Sequence, residues 1–549
     1  MVKKKSNPLI KTPTLASALA ALALAVNISS SAALAADAKQ ALRENLEVVE
    51  PERAVPQLAA SAAYEPKDNT LAIEISEYAG YAGIVVANNG LEPSEDSIFF
   101  KKFGFKVRLT LSEEDSWDTL QKGRLAANVT TADVLPLYGQ RLQAETPLLI
   151  GYSRGADALL VRSEIKTVND LKGKTVAISQ FNESDFLIRY LAQQAGLEVA
   201  LMDSPDDKPA PDKINLVACA DAFGAGDFFR RDVADGRARI HGCMTWEPKT
   251  GEVLEKTAGK TRLLVSNRNL LVVADILLVN KGFAAAHPDM VQGLVEGILE
   301  GNALVRAAPS LAPAHRALIA KAFEWDEDDV ASELSKVHLA NHPENLAFFD
   351  GSIDSAGSFS YIYESAVDAY GSAFIPRPVP AERFIAKAPL DALKAAGRFA
   401  NETASIKPIK TAQSGQIEEP LLARDIRFLF EPNSGNLDLT NAQNTADLEY
   451  LTKIMQVSPG STLLLRGHVD NSMVEEFRKQ GGASLVQTMS VKAVQLSKDR
   501  SNSVRDQLVK KHKIAADRIE VLGCGWREPT DATDHAKNRR VEAQWFTVE

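Results

Sequence analysis

The chain has 549 residues, 45% of them hydrophobic and 24% charged, with 62 Lys and Arg against 72 Asp and Glu, for a formal net charge of -10. That length exceeds what one hydrophobic core can organise, so two or three domains are expected. The negative balance excludes a broad nucleic-acid or anionic-membrane footprint, because both call for a basic surface.

At the N-terminus, Lys3-Lys4-Lys5 and Lys11 accompany an apolar run rich in Ala and Leu from Leu15 to Ile28, and Ala33-Leu34-Ala35 supplies a small-residue cleavage pattern. These are the parts of a secretory signal over residues 1–35, with the mature chain starting near Ala36. The run is shorter than the ~20 residues that a span needs, and no Cys follows it to carry a lipid. Residues 36–69 are polar, rich in Pro and Ala, and read as a flexible leader. Cys219, Cys243 and Cys524 give an odd count. Cys219 and Cys243 can pair only if their strands are neighbours, whereas Cys524 reads as a small buried hydrophobe. There is no C-x-x-C, and His241-x-Cys243 alone is not a metal site, so neither metal nor cofactor is expected.

From Leu71 to Phe384, short apolar strands alternate with helical periods, the pattern of βαβ units around a parallel sheet. Strands are predicted at Leu71–Ile75, Lys106–Leu111, Thr175–Ser179 and Ile276–Val279. Helices are predicted at Ser184–Ala195, Pro288–Arg306 and Leu311–Ala322. The apolar signal thins between Ala392 and Glu419, and residues 385–419 read as a linker with Ile406–Gln416 its clearest part. Such a Lys/Gln/Ser/Gly/Pro stretch buries too little apolar area to order itself. Residues 420–549 form a tail with its own pattern. It has an opening strand over Asp425–Glu431, a helix over Asn441–Val457 and strands at Thr462–Arg466, Ile519–Gly523 and Arg540–Phe546. In the helix after Leu496, Arg500, Val504 and Leu508 recur at four-residue steps and share a face.

Four motifs in order carry a first resemblance: Leu120–Asn128 (LQKGRLAAN), Leu171–Val176 (LKGKTV), Met244–Pro248 (MTWEP), and Ala274–Val279 leading to His287-Pro288-Asp289. Over residues 70–384 the chain resembles type 2 periplasmic solute-binding proteins, in particular the NitT/TauT-type ABC transporter receptors for nitrate, sulfonates and other small organic solutes. The resemblance implies an α/β fold of two lobes, with crossovers near Ile150–Ala158 and Leu264–Ala274. Lobe one would hold residues 70–150 and 275–384, and lobe two residues 158–265. Solute would bind in the cleft between them, and closure would present a new surface to an ABC permease in the inner membrane.

On that geometry the candidate solute-binding residues are Glu77, Tyr78 and Tyr81 leaving the first strand, and Thr130 and Thr131 ending a short one. Ser153 lies at the first crossover, Ser179 and Ser184 flank the loop into a helix, and Trp246, Glu247 and Asp275 complete the set. Read as plain structure, Tyr78, Tyr81 and Trp246 are core aromatics and Ser184 is an N-cap. A helix N-terminus attracts anions, yet Glu183 and Asp185 already occupy the start of this one. With Glu77 and Glu247 they lean away from a bare oxyanion such as nitrate, toward a solute with a cationic or hydroxylated part.

In the tail, Leu463–Asp470 (LLLRGHVD), Leu496–Arg500 (LSKDR) and Asn538-Arg539-Arg540 resemble the OmpA-like peptidoglycan-binding domain, a smaller α+β (βαβαβ) fold. The resemblance implies recognition of diaminopimelate in a stem peptide. Asp470 would accept from its ammonium and Arg500 would hold a carboxylate. His468 and Asn471 would line the rim, and Arg539 or Arg540 would brace the closing strand. The alternative is an Asp470–Arg500 salt bridge with no ligand. Val469 stands where the family has Thr, Ser472-Met473-Val474 lacks its Gly, Ala493 replaces an Asn, and Asn471–Gln495 is longer than usual.

Together these features predict an exported, non-enzymatic solute receptor of an ABC-type uptake system, located in the periplasm and held non-covalently to the cell wall. Its partners would be a small-molecule solute, the permease and peptidoglycan, with no nucleic acid. One alternative is a wall-anchored solute sensor that signals to a protein partner. Another is a serine hydrolase, because Gly151-Tyr152-Ser153-Arg154-Gly155 matches G-x-S-x-G. That elbow needs strand, sharp turn and helix, whereas Ala156–Arg162 reads as another strand.

Overall fold

A computed structural model of the chain describes residues 47–112, 117–268, 270–306, 311–352, 357–404, 406, 422–458, 460–531 and 533–546. The expected signal over 1–35, the start of the leader, and residues 407–416 of the expected tether lie outside the described residues.

Lobe one opens with β1 (Thr70–Ile75), β2 (Lys106–Leu111), β3 (Ala127–Thr131) and β4 (Ala144–Ser153). The chain crosses at 154–157 into lobe two, which holds β5 (Ala158–Arg162), β6 (Thr175–Ser179), β7 (Val199–Met202), β8 (Ile214–Cys219), β9 (Gly242–Thr245) and β10 (Thr261–Ser266). It returns through 267–273 to β11 (Ala274–Asn280) and β12 (Val337–Leu339). The two sheets are ordered β12-β4-β11-β3-β1-β2 and β10-β5-β9-β6-β8-β7. Both crossovers fall where the sequence places them, and the two-lobe α/β fold is the one expected. β6, β8 and β11 are buried along their whole length, as strands covered on both faces must be, so they read as continuous apolar runs.

Helices cover both sheets. In lobe one, α1 (Ala82–Asn88) lies against α4 (Pro288–Arg306) so closely that a Cβ on Gly301 would sit 2.0 Å from the Gly83 carbonyl oxygen. In lobe two, α2 (Glu183–Gln194) and α3 (Ala222–Ala234) follow β6 and β8. Their N-caps are Asn182, which accepts from the Ser184 and Asp185 N–H groups, and Asp221, which accepts from Gly224. Asn182 therefore takes the capping role that the sequence reading gave to Ser184.

Two segments expected to be loose are packed. Val48 bridges Cys219, Val49 N–H donates to Ala218 (3.0 Å) and Ala220 N–H donates to Glu47 (2.8 Å), all on lobe two. Further on, Glu52 N–H donates to Gln180 Oε1 (2.8 Å) on lobe two, while Ala59 N–H reaches Asp118 (2.8 Å) and Ala62 N–H reaches Gln121 (2.9 Å) on lobe one. This part of the leader is a strap across both lobes. It borrows existing polar partners and packs Val48, Val55 and Leu58 against cores built by other segments, which is why its composition resembles a tether.

The expected linker likewise begins late. After α5 (Phe359–Phe374), α6 (Ala388–Ala395) buries Leu390 and Leu393 on an otherwise Ala-rich helix. Beyond it, Glu402 accepts from Arg306 (3.0 Å) and from the His342 N–H (3.2 Å). Ile406 is buried as well.

The tail forms a four-stranded sheet ordered β13-β16-β14-β15, from β13 (Leu422–Leu429), β14 (Thr462–Gly467), β15 (Ile519–Gly523) and β16 (Arg540–Phe546). β14 is parallel to β15, and β16 is antiparallel to both β13 and β14. Helices α7 (Ala442–Val457) and α8 (Val474–Asp506) complete a β-α-β-α-β-β order. The overlong Asn471–Gln495 segment is absorbed by α8, which breaks at Gly481 and Gly482, the latter at φ +65°. Arg500, Val504 and Leu508 are buried along one face, as their spacing requires. Gly467 allows that face to approach β14, since a Cβ there would lie 1.9 Å from the Ser497 carbonyl oxygen.

All three cysteines are free and buried. Cys219 and Cys243 lie on β8 and β9, which β6 separates, so the neighbouring-strand condition for pairing is not met.

Candidate functional site

A cavity of about 250 Å³ opens between the two lobes, where both crossovers meet. Tyr78 and Tyr81 follow β1, and Thr130 and Thr131 end β3, all four lining it from lobe one. Ser153 ends β4, Asp275 opens β11, and Ser179 and Trp246 line the cavity from lobe two. Three predicted residues are not brought to it. Glu77 accepts from the Trp325 indole N–H (2.7 Å), and Glu247 is 3.0 Å from the Lys336 ammonium while capping the Gly251 N–H (3.0 Å). Ser184 is fully buried in the first turn of α2.

Sequence reasoning missed Asp157, Glu74, Trp117 and Tyr138, which also line the cavity. Asp157 carried a usable signal, since a carboxylate inside the apolar Ala156–Val161 run demands a partner. Its Oδ2 accepts from the Ser153 hydroxyl and from Asn267 Nδ2 (2.8 Å). Burial pushes the Asp157 carboxyl up to about 6, against those two hydrogen bonds.

Asp275, only 2% exposed, accepts from the Tyr81 hydroxyl (3.3 Å) through Oδ1, while Oδ2 has no hydrogen-bond partner. Burial first, and the Asp157 charge second, hold the Asp275 carboxyl well above the usual carboxylate range. Aromatic walls face these acids. Tyr78 and Tyr81 meet edge-on at 5.3 Å, and Trp117 stacks on Tyr138 at 4.7 Å. Ser153 ends a strand that leads through a crossover into β5, a strand-loop-strand arrangement that differs from the nucleophile elbow.

In the tail, Asp470 leaves β14 and accepts from the N–H (3.2 Å) and hydroxyl of Ser472, with Arg539 Nη1 3.6 Å from its Oδ2. Burial pushes its carboxyl up, but the Ser472 bonds and the Arg539 charge outweigh this and hold it below the ordinary value. Arg500 does not salt-bridge Asp470. It is fully buried and donates to the Ser434 (2.9 Å), His468 (2.8 Å) and Glu431 (3.1 Å) carbonyl oxygens. Burial pulls its guanidinium down to about 10, with the Arg539 charge contributing.

His468 is buried, with Nε2 3.4 Å from Glu542, and so stands behind the expected rim. Asn471 is half-buried, and its Oδ1 has no hydrogen-bond partner. Arg539 donates to Phe430 (3.3 Å), tying β16 to β13, and Arg540 is buried against Glu542 (2.6 Å). His468, Cys524 and Glu528 bring potential ligand atoms within 4.8 Å of one another, but the Arg466 guanidinium already binds Glu528 there at 2.7 Å.

Residues 153–312 match the NMT1/THI5 like family, and residues 429–542 match the OmpA family. The chain joins an NMT1/THI5-like domain to a C-terminal OmpA domain. A stretch of 124 residues is 26% identical to outer membrane porin F of Pseudomonas aeruginosa, covering 22% of this chain and 30% of the porin. This chain thus spans less than a third of that relative.

Among solved structures, it is similar to the periplasmic aliphatic sulphonate binding protein SsuA from Escherichia coli (20% identity, TM-score 0.43, 60% of this chain and 100% of that one). It is also similar to the periplasmic nitrate-binding protein NrtA from Synechocystis PCC 6803 (11% identity, TM-score 0.43, 63% and 92%). The NMT1/THI5-like match begins at Ser153 and takes in both crossovers, lobe two and α4. The OmpA match runs from the last residue of β13 into β16 and includes Asp470, Arg500 and Arg539. In the OmpA domain, the half-buried Asp470 sits between Ser472 and Arg539. The Arg500 brace fixes the Glu431–Ser434 loop against the exit of β14.

Proposed function

We propose that the chain is an exported solute receptor of an ABC-type uptake system, and that its OmpA domain holds it non-covalently to peptidoglycan in the periplasm. The observation that carries this reading is the cavity at the two crossovers, lined by polar groups without internal partners, in a chain that also bears an OmpA domain. A cleft of this kind binds solute as its lobes close, and the closed form engages an inner-membrane permease. No catalytic step is assigned, because Ser153 lies between two strands and not at a strand-to-helix nucleophile elbow.

At the wall, a diaminopimelate residue presents an ammonium and carboxylates. Asp470 accepts from the ammonium, and Asn471 contributes its unpartnered amide oxygen. Arg539, half-buried beside Asp470, offers the carboxylate a two-donor fork once it is drawn off Asp470, while Arg500 holds the site in shape. Retention of the full chain on purified sacculi tests the tether. Wild type is retained, and Asp470→Ala is retained at least about tenfold less strongly. Equal retention of wild type and an Asp470→Ala/Arg539→Ala double variant removes the tether from the function. Mass spectrometry of small molecules released from the freshly purified chain tests the receptor half, with a bound organic solute expected.

A further inference from the structure

The cleft has an unusual charge inventory. Four carboxyl groups line it (Glu74, Asp157, Glu183 and Asp275), and among the described residues no Lys, Arg or His does. A helix N-terminus facing a cleft normally supplies N–H donors for an anion, but here several of those donors are already engaged within the chain. Asn182 takes the Ser184 and Asp185 N–H groups, Asp185 takes that of Phe181 (3.2 Å), and Asp221 takes that of Gly224 (2.6 Å). Among the lining groups left without a partner, Asp275 Oδ2 is an acceptor, the Trp117 indole N–H is a donor, and the Thr130 and Thr131 hydroxyls can act as either. Asp275 Oδ2 makes no hydrogen bond although the residue is 2% exposed, and the Thr130 and Thr131 hydroxyls, each on a residue 5% exposed, make none.

Resting on the receptor reading above, we infer that the solute is an organic cation, an ammonium or amidinium on a flat apolar body, with its charged end at Asp275 and Asp157. A buried carboxylate without a partner is costly, and a cation removes that cost. A sulfonate or nitrate would add a like charge to two acids that already oppose each other. The apolar body has a place too. The Trp117–Tyr138 stack and the Tyr78–Tyr81 pair line the cavity, and aromatic rings attract both flat rings and cations.

Thermal unfolding of the full chain, read with benzylamine, benzyl alcohol and phenylmethanesulfonate and with butylamine, butanol and butanesulfonate, tests the inference. The amines are expected to raise Tm by on the order of 5 °C near saturation, and the sulfonates not at all. Asp275→Asn is expected to weaken amine binding by roughly 30-fold or more, because it removes a desolvated charge partner. The same variant is expected to unfold at or above the wild-type temperature without solute, which separates lost binding from lost fold. A response to alcohols or sulfonates that equals or exceeds the amine response overturns the charge assignment and leaves the receptor reading standing. Silence from all six probes in a folded chain overturns both.

Discussion

In the cleft, Asp157 and Asp275 are buried and, among the described residues, no basic side chain lines the cavity, whereas in the OmpA domain Asp470 and Arg500 both have companions in place. Asp470 has Arg539 and Ser472, and the buried Arg500 has three carbonyl oxygens. The two sites also differ in what holds them. The tail groove is fixed by hydrogen bonds within one small sheet and its helices. The cleft is shared between two sheets joined by two crossovers, with Asp157 on one crossover and Asp275 beside the other. A preassembled groove suits a fixed polymer, and a charge-unbalanced cleft suits a diffusing ligand whose arrival changes the balance.

Four perturbations sharpen this contrast. Arg500→Ala removes a guanidinium and leaves three buried carbonyl oxygens without their donor, so the OmpA domain should lose roughly 3–5 kcal/mol. Chemical denaturation followed on the tail should register this as a lower midpoint, with the receptor lobes unaffected.

The second acts on the cleft through pH. The Asp157 carboxyl is raised to about 6 by burial, above its unfolded value of about 3.9. Its stabilising contribution is therefore fully present below about pH 4 and is lost as pH rises through about 6, amounting to about 3 kcal/mol in all. Melting curves from pH 4 to 8 should show this slope in the wild type and a flatter one in Asp157→Asn. Parallel slopes would mean that the acid is not buried in solution.

Gly467→Ala comes third, because the added Cβ would meet the Ser497 carbonyl oxygen at 1.9 Å and force α8 off β14. A loss of roughly 2 kcal/mol is expected by the same denaturation. The smallest effect belongs to Asp470→Ala. It sits at a half-open rim and should change stability by no more than about 0.5 kcal/mol, while sacculus binding falls at least about tenfold, or ~1.4 kcal/mol. If stability fell as far as in Arg500→Ala, Asp470 would be part of the scaffold and not of the groove.

Much of the architecture was legible because periodicity is local. β2, β6, β15, β16 and α4 fall on their predicted residues, most other predicted elements shift by one to three positions at an end, and the helix expected after Leu496 begins already at Val474. The strap and α6 were not legible, for a physical reason. The strap makes hydrogen bonds to residues more than 50 positions away in sequence, and α6 rests on two leucines. Within the cleft, Tyr78, Tyr81 and Asp275 followed from strand ends, which family geometry points at the cavity. Glu77 did not, because its carboxylate turns to Trp325, a residue far along the chain. Asp157 was passed over as part of a strand, although an acid in an apolar run was itself the signal. In the tail, the identities of Asp470 and Arg500 were readable but their partners were not, since the carbonyls that Arg500 holds belong to two other segments.

The strap has a mechanical consequence. Glu52 is fastened to one lobe and Ala59 to the other, and the seven residue steps between them reach at most about 25 Å when fully drawn out. While both fastenings hold, the jaws cannot gape wider than that cord allows. Pro56, midway along it, also lines the cavity. On the receptor reading, a bite of bounded width, set by the length of a short peptide, would limit the size of what enters before any chemistry discriminates.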